Sequence, residues 1–236
     1  MADAALQTPP AAKPAVVYKP RNPAALAQAL VIALYADLAV DALNLIADTL
    51  SLRFVSQVDP DTPTSLGSSL PGEAAIDLFK GLAGLLQAIV FLVCGFLCLK
   101  WIYRVSLNAH SMASDMKTTP AWGVGWFFVP IANLWKPYQA VRETWQVSAA
   151  GGPGWQSQPV PNLLGWWWLA WIVANMLGNV AFRLQMSAAT AGATAFSSGM
   201  SVAQDVANVP LDVLFIYIVR RLTAVQIEAL SGHVFD

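Results

Sequence analysis

Four polar residues recur along the first apolar stretch of the chain at the spacing of an α-helix: Asp37, Asp41, Asn44 and Asp48. At 100° per residue they fall within a stripe about 60° wide on one helix face. One Asp at the centre of a membrane helix costs about 2.5–3.5 kcal/mol on insertion scales. We therefore expect Asp37 and Asp41 to face a bundle interior or water rather than lipid.

A further carboxylate, Asp212, lies near the middle of the last apolar stretch, two residues after Pro210. We expect Asp212 to meet the stripe that contains Asp37 and Asp41. Buried carboxylates that lie side by side can share a proton. Such carboxylates could therefore serve as a proton or cation relay. A polar seam that only joins helices is the alternative interpretation of these three residues.

Asp48 lies near the end of its apolar stretch, and we expect it to pair with Arg53 or Arg183. Such an ion pair would serve structure rather than transport.

Metal, cofactor and catalytic chemistry are not predicted. Cys94 and Cys98 share a helix face, but the chain has no other cysteine, and His110 and His233 lie in distant polar segments. A zinc site needs about four suitable ligands, so the cysteines are interpreted as packing residues. The chain also lacks a nucleophile elbow, a P-loop and a zinc-protease motif. We therefore expect no enzyme activity.

The helices that carry these residues belong to an unusually apolar chain. Of its 236 residues, 27 are charged (13 basic and 14 acidic), which is 11%, and 56% are hydrophobic. Soluble domains carry about 25% charged residues. The mean hydropathy is +0.52. A net charge of −1 gives no electrostatic footprint for nucleic acid. These values exclude an ordinary soluble enzyme and a nucleic-acid binder, and they predict an integral membrane protein.

A membrane-spanning helix needs about 20 mostly apolar residues. Four stretches qualify, at about residues 24–50, 78–102, 163–184 and 202–222. The preceding residues, 1–22, are rich in Ala and Pro and lack an apolar run, so they are predicted to be a disordered tail rather than a signal peptide. Residues 23–236 are predicted to form one all-α polytopic domain.

The segment 122–149 is the ambiguous part. Its apolar portion, Trp122–Trp135, has only 14 residues and contains Pro130. Stretches this short are more often re-entrant or interfacial than spanning. A new helix is predicted over Tyr138–Ala149, with Pro137 in its first turn and a glycine-rich stop at residues 151–154.

That short helix is predicted to be amphipathic and to lie at the membrane surface. Tyr138, Val141 and Trp145 fall on one face, and Arg142 and Glu143 lie toward the other.

Charge placement predicts the orientation. With four spans, ten of the 13 Lys and Arg residues lie on the same side as the tail and the segment 122–149. The positive-inside rule then places both termini in the cytoplasm. All ten Trp residues lie between Trp101 and Trp171, on or near this side. The two opposite connections, residues 51–77 and 187–201, are predicted to be solvated loops.

A long motif follows the second span. Trp101, Arg104 and Asn108 form W-x-x-R-x-x-x-N, and the sequence PAWGVGWFFVPIANLWKPYQAVRETW occupies Pro120–Trp145. This region resembles the bacterial membrane family known as domain of unknown function 4328. The resemblance extends from the first span onward and implies a multi-span bacterial membrane protein without a known reaction. The matching residues are Trp101, Arg104, Asn108, Pro120, Trp122, Gly125, Pro130, Asn133, Trp135, Lys136, Pro137, Tyr138, Gln139 and Arg142.

The two prolines of the motif free backbone carbonyls, those of Trp126 and Asn133. Local donors are expected to satisfy them, with Arg104, Asn133 and Gln139 as candidates. On this interpretation the motif is a structural clamp. The alternative is a ligand site at the cytoplasmic interface for a lipid headgroup or a partner peptide.

Two functions are consistent with these observations. The first expectation is a non-enzymatic module of the bacterial inner membrane that binds membrane lipid, a partner protein or a second copy of the chain through the layer 122–145. The alternative is a small proton- or cation-coupled carrier that uses Asp37, Asp41 and Asp212.

Overall fold

Four long helices dominate the computed structural model, which describes residues 18–64 and 72–232. Within these residues the fold is helical and contains no strand. The α-helices are α1 (Ala24–Val55), α2 (Ala74–Met112), α3 (Pro120–Gly125), α4 (Lys136–Ala150), α5 (Asn162–Ser187) and α6 (Ala191–Gly232). Residues 1–17 of the predicted tail and His233 lie outside the described residues.

The four helices α1, α2, α5 and α6 are long and apolar enough to cross a membrane. The predicted fold class, with four spanning helices, is therefore confirmed. Each helix is longer than its predicted span, because the polar residues at its ends continue the helical hydrogen bonding. On α2 the large apolar side chains Leu78, Leu92 and Phe96 are each more than 60% exposed, as expected of a surface that lipid covers.

One predicted loop is wrong. Residues 187–201 were expected to be a solvated connection, but α6 begins at Ala191, and Ser197 and Ser198 are fully buried. The small residues of this stretch allow close helix packing, and the Ser197 hydroxyl donates to the Thr194 carbonyl one turn earlier at 2.9 Å. Its polar composition therefore reflects tight packing within the bundle rather than solvation.

The other expected loop, residues 51–77, is shortened at both ends by helix. Its middle part pairs with the short turn between α5 and α6: the Thr64 N–H donates to the Ala189 carbonyl at 2.9 Å, and the Ala191 N–H donates to the Thr62 carbonyl at 2.9 Å. We call the end of the bundle that carries residues 56–64 and 188–190 the loop end, and the opposite end, which carries α3 and α4, the tryptophan-rich end.

The hydrophobic core lies toward the tryptophan-rich end. Leu30 of α1, Trp101 of α2, Leu164 of α5 and Leu222 of α6 are all fully buried there. Helix α6 is central, because it packs along both α1 and α5, while α2 packs mainly against α1. Helix α1 therefore packs against α6 on one side and against α2 on the other.

The proline-broken segment folds as α3, two short 3-10 turns (Trp126–Phe128 and Ala132–Leu134) and α4. Pro137 occupies the first turn of α4, and Gly151 ends the helix with a left-handed φ of 67°. Between the two 3-10 turns, Ile131 has a φ of 66°, a strained conformation for a β-branched residue. None of these pieces is among the candidate spans, and the placement of the segment relative to lipid stays a prediction.

The predicted exposed position of Glu143 on α4 is wrong. Glu143 is buried, and its carboxylate accepts hydrogen bonds from the backbone N–H groups of Lys117 and Thr118. The connection between α2 and α3 lies over α4 and leaves these two donors without a helical partner. Glu143 satisfies them, which a helical-wheel argument on α4 alone does not reveal.

Candidate functional site

Three helices present polar side chains to one another inside the bundle. We call this set the polar track. It comprises Asp37, Asp41, Asn44 and Asp48 of α1, Lys80, Gln87 and Cys94 of α2, and Asp205, Asn208 and Asp212 of α6. Each group repeats at three, four or seven residues, so it occupies a single face of its helix. The sequence stripe on α1 thus meets matching stripes on two other helices.

Hydrogen bonds join the three stripes. The side-chain amide of Gln87 donates to Asp37 Oδ1 at 2.9 Å, and its carbonyl accepts from Asn44 Nδ2 at 2.8 Å. Across the other interface, Asn208 Nδ2 donates to Asp41 Oδ1 at 3.3 Å. Amides from α2 and α6 therefore hold the two carboxylates of α1 that lie deepest in the bundle.

At the loop end of the track, Asp48 pairs with Lys80, with 2.9 Å between Lys80 Nζ and Asp48 Oδ1. The expected partners Arg53 and Arg183 are both exposed. Arg183 belongs to α5, which packs against α6 and not along α1. The neighbouring helix α2 instead brings Lys80 to Asp48.

Two carboxylates of α6 stand apart from these pairs. Asp205 and Asp212 are each 7% exposed. One oxygen of each, Oδ2, is buried and has no hydrogen-bond partner among the described residues. The charge of Asp212 lies close enough to interact with Asp37 and Asp41. Asp212 therefore lies on the side of α6 that faces the carboxylates of α1.

Asp205 is the residue that sequence reasoning missed. Its charge interacts with those of Asp48, Asp41 and Lys80, so it continues the track from Asp212 toward the loop end. A signal was present, since Asp205 precedes Asp212 by seven residues, or two helical turns. Gln87 was missed in the same way, seven residues after Lys80 on α2.

The track carries more negative than positive charge. Among the described residues it contains five carboxylates, those of Asp37, Asp41, Asp48, Asp205 and Asp212, and one basic side chain, that of Lys80. Carboxylates without a counter-charge are costly inside a membrane. Bound protons or a small cation would neutralise the excess charge.

The track spans about half of a membrane. Asp37 and Asp48 are separated by roughly 17 Å along the axis of α1, whereas the hydrocarbon core is about 30 Å thick. From Asp37 toward the tryptophan-rich end, the inward positions of α1 are Leu34 and Leu30, which are buried and apolar. The polar face therefore ends near mid-depth.

Aromatic rings close the track at this point. Phe215, one turn after Asp212, stacks on Trp167 with 5.2 Å between ring centroids, and Trp101 meets it edge-on at 6.0 Å. The Trp101 indole N–H donates to Thr223 at 3.1 Å, which fixes the ring. We call Trp101, Trp167 and Phe215 the aromatic plug.

The motif residues after Trp101 divide into buried and exposed groups. Asn108 is fully buried and exchanges two 2.9 Å hydrogen bonds with the backbone of Arg21. Its amide also donates to Gln226 of α6 at 3.0 Å. Arg104 is partly exposed, one turn earlier on α2. Asn108 thus joins the segment just before α1 to the last turns of α2 and α6.

For one of the two freed carbonyls, that of Trp126, the structure shows a donor that was not expected. The Trp126 carbonyl accepts from the Val129 backbone N–H at 3.4 Å. The side chain that ties the broken segment to the bundle is Trp168 of α5, whose indole N–H donates to the Leu134 carbonyl at 2.8 Å. This bond ties the broken segment to α5 through a carbonyl that the sequence did not single out.

Other motif residues form an aromatic surface on the broken segment. Trp122 lies against Trp126 at 4.5 Å between centroids, and the Lys136 ammonium lies 5.4 Å from the centre of the Trp126 ring. Tyr138 contacts Trp168 at 6.4 Å. Pro130, Gln139 and Arg142 are also exposed, whereas Pro137 is fully buried.

Comparison with known proteins identifies the family. The family model described as "Domain of unknown function (DUF4328)" matches residues 72–224, which is more than half of the chain. The chain belongs to the DUF4328 family. The predicted family resemblance is thereby confirmed. No curated protein and no solved structure matches the chain.

The matched DUF4328 region begins after α1, whereas the resemblance was expected to start at the first span. It contains Lys80, Gln87, Asp205 and Asp212, together with the whole aromatic plug. The carboxylates of α1 lie outside it. Two of the three helices that build the polar track therefore belong to the DUF4328 region.

Both cysteines of this DUF4328 protein are free thiols. Cys94 is buried on the part of α2 that lies near Asp37. In the part of the chain that the structure describes, no group of three or more His, Cys, Asp or Glu residues has the geometry to hold a metal ion. A cation in the track would need water and amide oxygens as additional ligands.

Proposed function

We propose that this DUF4328 protein is a small non-enzymatic carrier that binds and releases a proton or a monovalent cation at the polar track. One observation carries the proposal: the Oδ2 atoms of Asp205 and Asp212 are buried without a hydrogen-bond partner among the described residues. A carboxylate in that position is stable only when a proton or a cation occupies it.

Access to the track supports the same proposal. The polar residues run from the ion pair Asp48–Lys80 at the loop end to Asp212 near mid-depth, where the aromatic plug begins. An ion that enters from the loop end would reach Asp205 first and Asp212 second. Release toward the other side requires the plug to open, which is the behaviour of an alternating-access site.

Pro210 supplies a hinge for that opening. It lies inside α6 between Asn208 and Asp212, and it has no N–H to donate to the carbonyl of Val206. Helices bend at such positions. Bending at Pro210 would move Phe215 and Asp212 relative to Asp205, so that the plug and the ion site change together.

Carbodiimide labelling tests the proposal without knowledge of a transported substrate. Dicyclohexylcarbodiimide reacts with protonated carboxyl groups in apolar surroundings. In reconstituted vesicles we expect peptide mass spectrometry to find adducts on Asp205 or Asp212, and we expect raised pH or added sodium to suppress them. Asp205→Asn and Asp212→Asn should each remove one adduct. Asp115→Asn, which changes an exposed carboxylate outside the spans, is the matched control.

The labelling result distinguishes the two ions as well. Suppression by pH alone indicates a proton site, whereas suppression by sodium at constant pH indicates a cation site. The absence of any adduct on the track at every pH and sodium concentration would contradict the proposal and favour a structural polar seam.

The membrane module is the second candidate, and exposed apolar side chains favour it. Trp122, Phe128, Ile131, Leu134 and Trp135 on the broken segment are between 43% and 72% exposed. They would insert into the lipid interface or contact a partner protein. A photo-crosslinking amino acid at position 135 in native membranes tests this role, and a single stoichiometric protein adduct would support it. Adducts to lipid alone would support interfacial anchoring without a partner.

The proposed location is the bacterial inner membrane, with the tryptophan-rich end in the cytoplasm. Ser56 is exposed at the loop end and Ser157 is exposed at the tryptophan-rich end. Single cysteines at these positions, in a protein without Cys94 and Cys98, should react with a membrane-impermeant reagent from opposite sides. Reaction of both from one side would overturn the four-span topology.

A further inference from the structure

A basic cleft lies at the tryptophan-rich end, outside the polar track. Residues just before α1 and residues near the end of α2 line it: Tyr18, Lys19, Arg21, Tyr103, Arg104 and Leu107. Its volume is about 370 Å³. Three of the six lining residues are basic and none is acidic. We call these six residues the basic cleft.

The cations of the basic cleft lack carboxylate partners. Over residues 18–64 and 72–232, the structure contains a single salt bridge, that between Lys80 and Asp48. Lys19, Arg21 and Arg104 therefore line the cleft without a carboxylate partner among the described residues. Several positive charges that line one cleft favour the binding of an anion.

Buried hydrogen bonds hold the cleft in shape. The two bonds between Asn108 and the Arg21 backbone fix the segment that carries Tyr18 and Lys19. Gln226, which is fully buried, holds Asn108 and also donates to the Val105 carbonyl at 2.7 Å and to Ser148 at 2.9 Å. The Tyr18 ring packs edge-on against His110 at 5.2 Å. The position of residues 18–21 is thus set by contacts that involve three helices.

This arrangement gives separate roles to two motif residues. Arg104 and Asn108 are four residues apart, and both face residues 18–21. Asn108 positions the segment, and Arg104 contributes a charge to the cleft that the segment completes. A lysine, two arginines and two phenols together offer many hydrogen-bond donors and no acidic group, which suits the oxygen atoms of a phosphate.

The depth of the cleft matches that of lipid headgroups. Tyr103 and Arg104 follow directly after the apolar part of α2, whose side chains Leu92 and Phe96 are widely exposed. Tyr and Arg at this level of a spanning helix typically meet the interface between lipid and water. The lipid-facing surface of α2 therefore ends close to the level of the basic cleft.

We propose that the basic cleft binds a phosphate group, presented by an anionic lipid headgroup or by a soluble phosphate compound. Arg104 and Lys19 are the principal ligands, and Tyr103 and Tyr18 line the same cleft. The proposal does not depend on ion binding at the polar track, from which Trp101 and the hydrophobic core separate the cleft.

Native mass spectrometry of the full chain, purified in detergent, tests the proposal. The probes are phosphatidylglycerol, a galactosyl diacylglycerol that lacks phosphate, and inorganic phosphate as a competitor. The variants are Arg104→Gln and Lys19→Gln. Arg221→Gln is the matched control, because Arg221 is an exposed arginine of α6 that does not line the cleft.

We expect phosphatidylglycerol to bind in preference to the galactolipid, and we expect each cleft variant to weaken that binding about tenfold. This is the effect of losing roughly one charge-assisted hydrogen bond. The control variant should bind as the original protein does. Displacement of the lipid by millimolar phosphate, with the same dependence on Arg104, would identify a soluble phosphate compound as the source.

Equal binding of the two lipids, or equal binding by all variants, would overturn the proposal. Lys19→Gln keeps the test interpretable if Arg104→Gln perturbs α2, because Lys19 lies before the first helix and carries no helical packing.

Discussion

The side-chain amide of Gln87 on α2 donates a 2.9 Å hydrogen bond to Asp37, which lies at the deep end of the polar stripe on α1. The same side chain accepts a hydrogen bond from Asn44, two turns further along α1. One glutamine therefore fixes both the register of two spanning helices and the position of a carboxylate near mid-depth. A polar residue in the lipid phase is costly unless it is paired, so this pairing is specific.

Replacement of Gln87 by Leu should destabilise the bundle by about 1 kcal/mol, because Asp37 and Asn44 both lose a partner inside the bundle. Thermal unfolding in detergent, followed by circular dichroism, measures the effect. Leu85→Ala on the lipid-facing side of α2, where Leu85 is 62% exposed, is the control and should have a smaller effect. An unchanged melting temperature for Gln87→Leu would show that the bond is not formed.

Removal of the Asn108 side chain should release the segment around Arg21 from the bundle. Asn108→Ala loses both hydrogen bonds to the Arg21 backbone, which together contribute about 2 kcal/mol. Trypsin should then cleave after Arg21 at least about tenfold faster, because the segment opens more often. Ser111→Ala is the control: Ser111 donates only to the Asn108 backbone carbonyl, and its loss should leave the cleavage rate unchanged.

A glycine on α5 marks a close helix contact. A Cβ added at Gly178 would lie 3.0 Å from the Gln204 side chain of α6, whereas a Cβ at Gly84 of α2 would meet nothing within 4 Å. Gly178→Leu should therefore give a lower melting temperature than Gly84→Leu, because the leucine must displace the end of the Gln204 side chain. Gly84→Leu has open space and gains helix propensity, so it should not lower the melting temperature. Equal melting temperatures for the two variants would contradict the packing of α5 on α6.

Asp115 should give the connection after α2 a pH-dependent anchor. Hydrogen bonds from the Trp155 indole and the Gln156 amide hold the pKa of this carboxyl below its usual range. A carboxyl whose folded-state pKa is lowered contributes stability above its unfolded-state pKa, and the contribution disappears as the pH falls through the folded-state value. Acid should therefore release Trp155 before the bundle unfolds.

The indole N–H resonance of Trp155 reports this release. We expect it to shift as the pH falls below about 4, the ordinary range of an Asp carboxyl. In Asp115→Asn the resonance should show no titration over the same range. A titration that persists in the variant would assign the shift to another group.

The extent of sequence prediction follows from what each pattern reports. Hydropathy over about 20 residues identified the four spans, because lipid exposure demands long apolar runs. Helical periodicity identified the stripe from Asp37 to Asp48, and depth alone predicted that Asp212 would meet it. Each of these features depends on the residues of a single helix, so it can be predicted from the amino-acid sequence alone.

Features that depend on two helices were not predictable in the same way. The stretch 187–201 was interpreted as a loop because Ala, Ser, Thr and Gly lower the hydropathy, although the same small residues allow close packing. That error concealed how far α6 extends before Asp205. The partners of Asp48 and Glu143 also depend on which neighbouring segment lies against each helix, and composition does not encode that neighbour.

The central claim is that the polar track carries a proton or a cation across the membrane when the aromatic plug opens. Proton flux and sodium flux into reconstituted vesicles test it directly in the Phe215→Ala variant. Each flux is driven by a potassium diffusion potential and followed with a pH-sensitive or a sodium-sensitive dye. Removal of the Phe215 ring takes away its contacts with Trp101 and Trp167, which close the track. We predict a flux well above that of the original protein, and its loss when Asp212→Asn is added. A Phe215→Ala protein that folds but conducts no more than the original, or that conducts equally with Asn at position 212, would contradict the account.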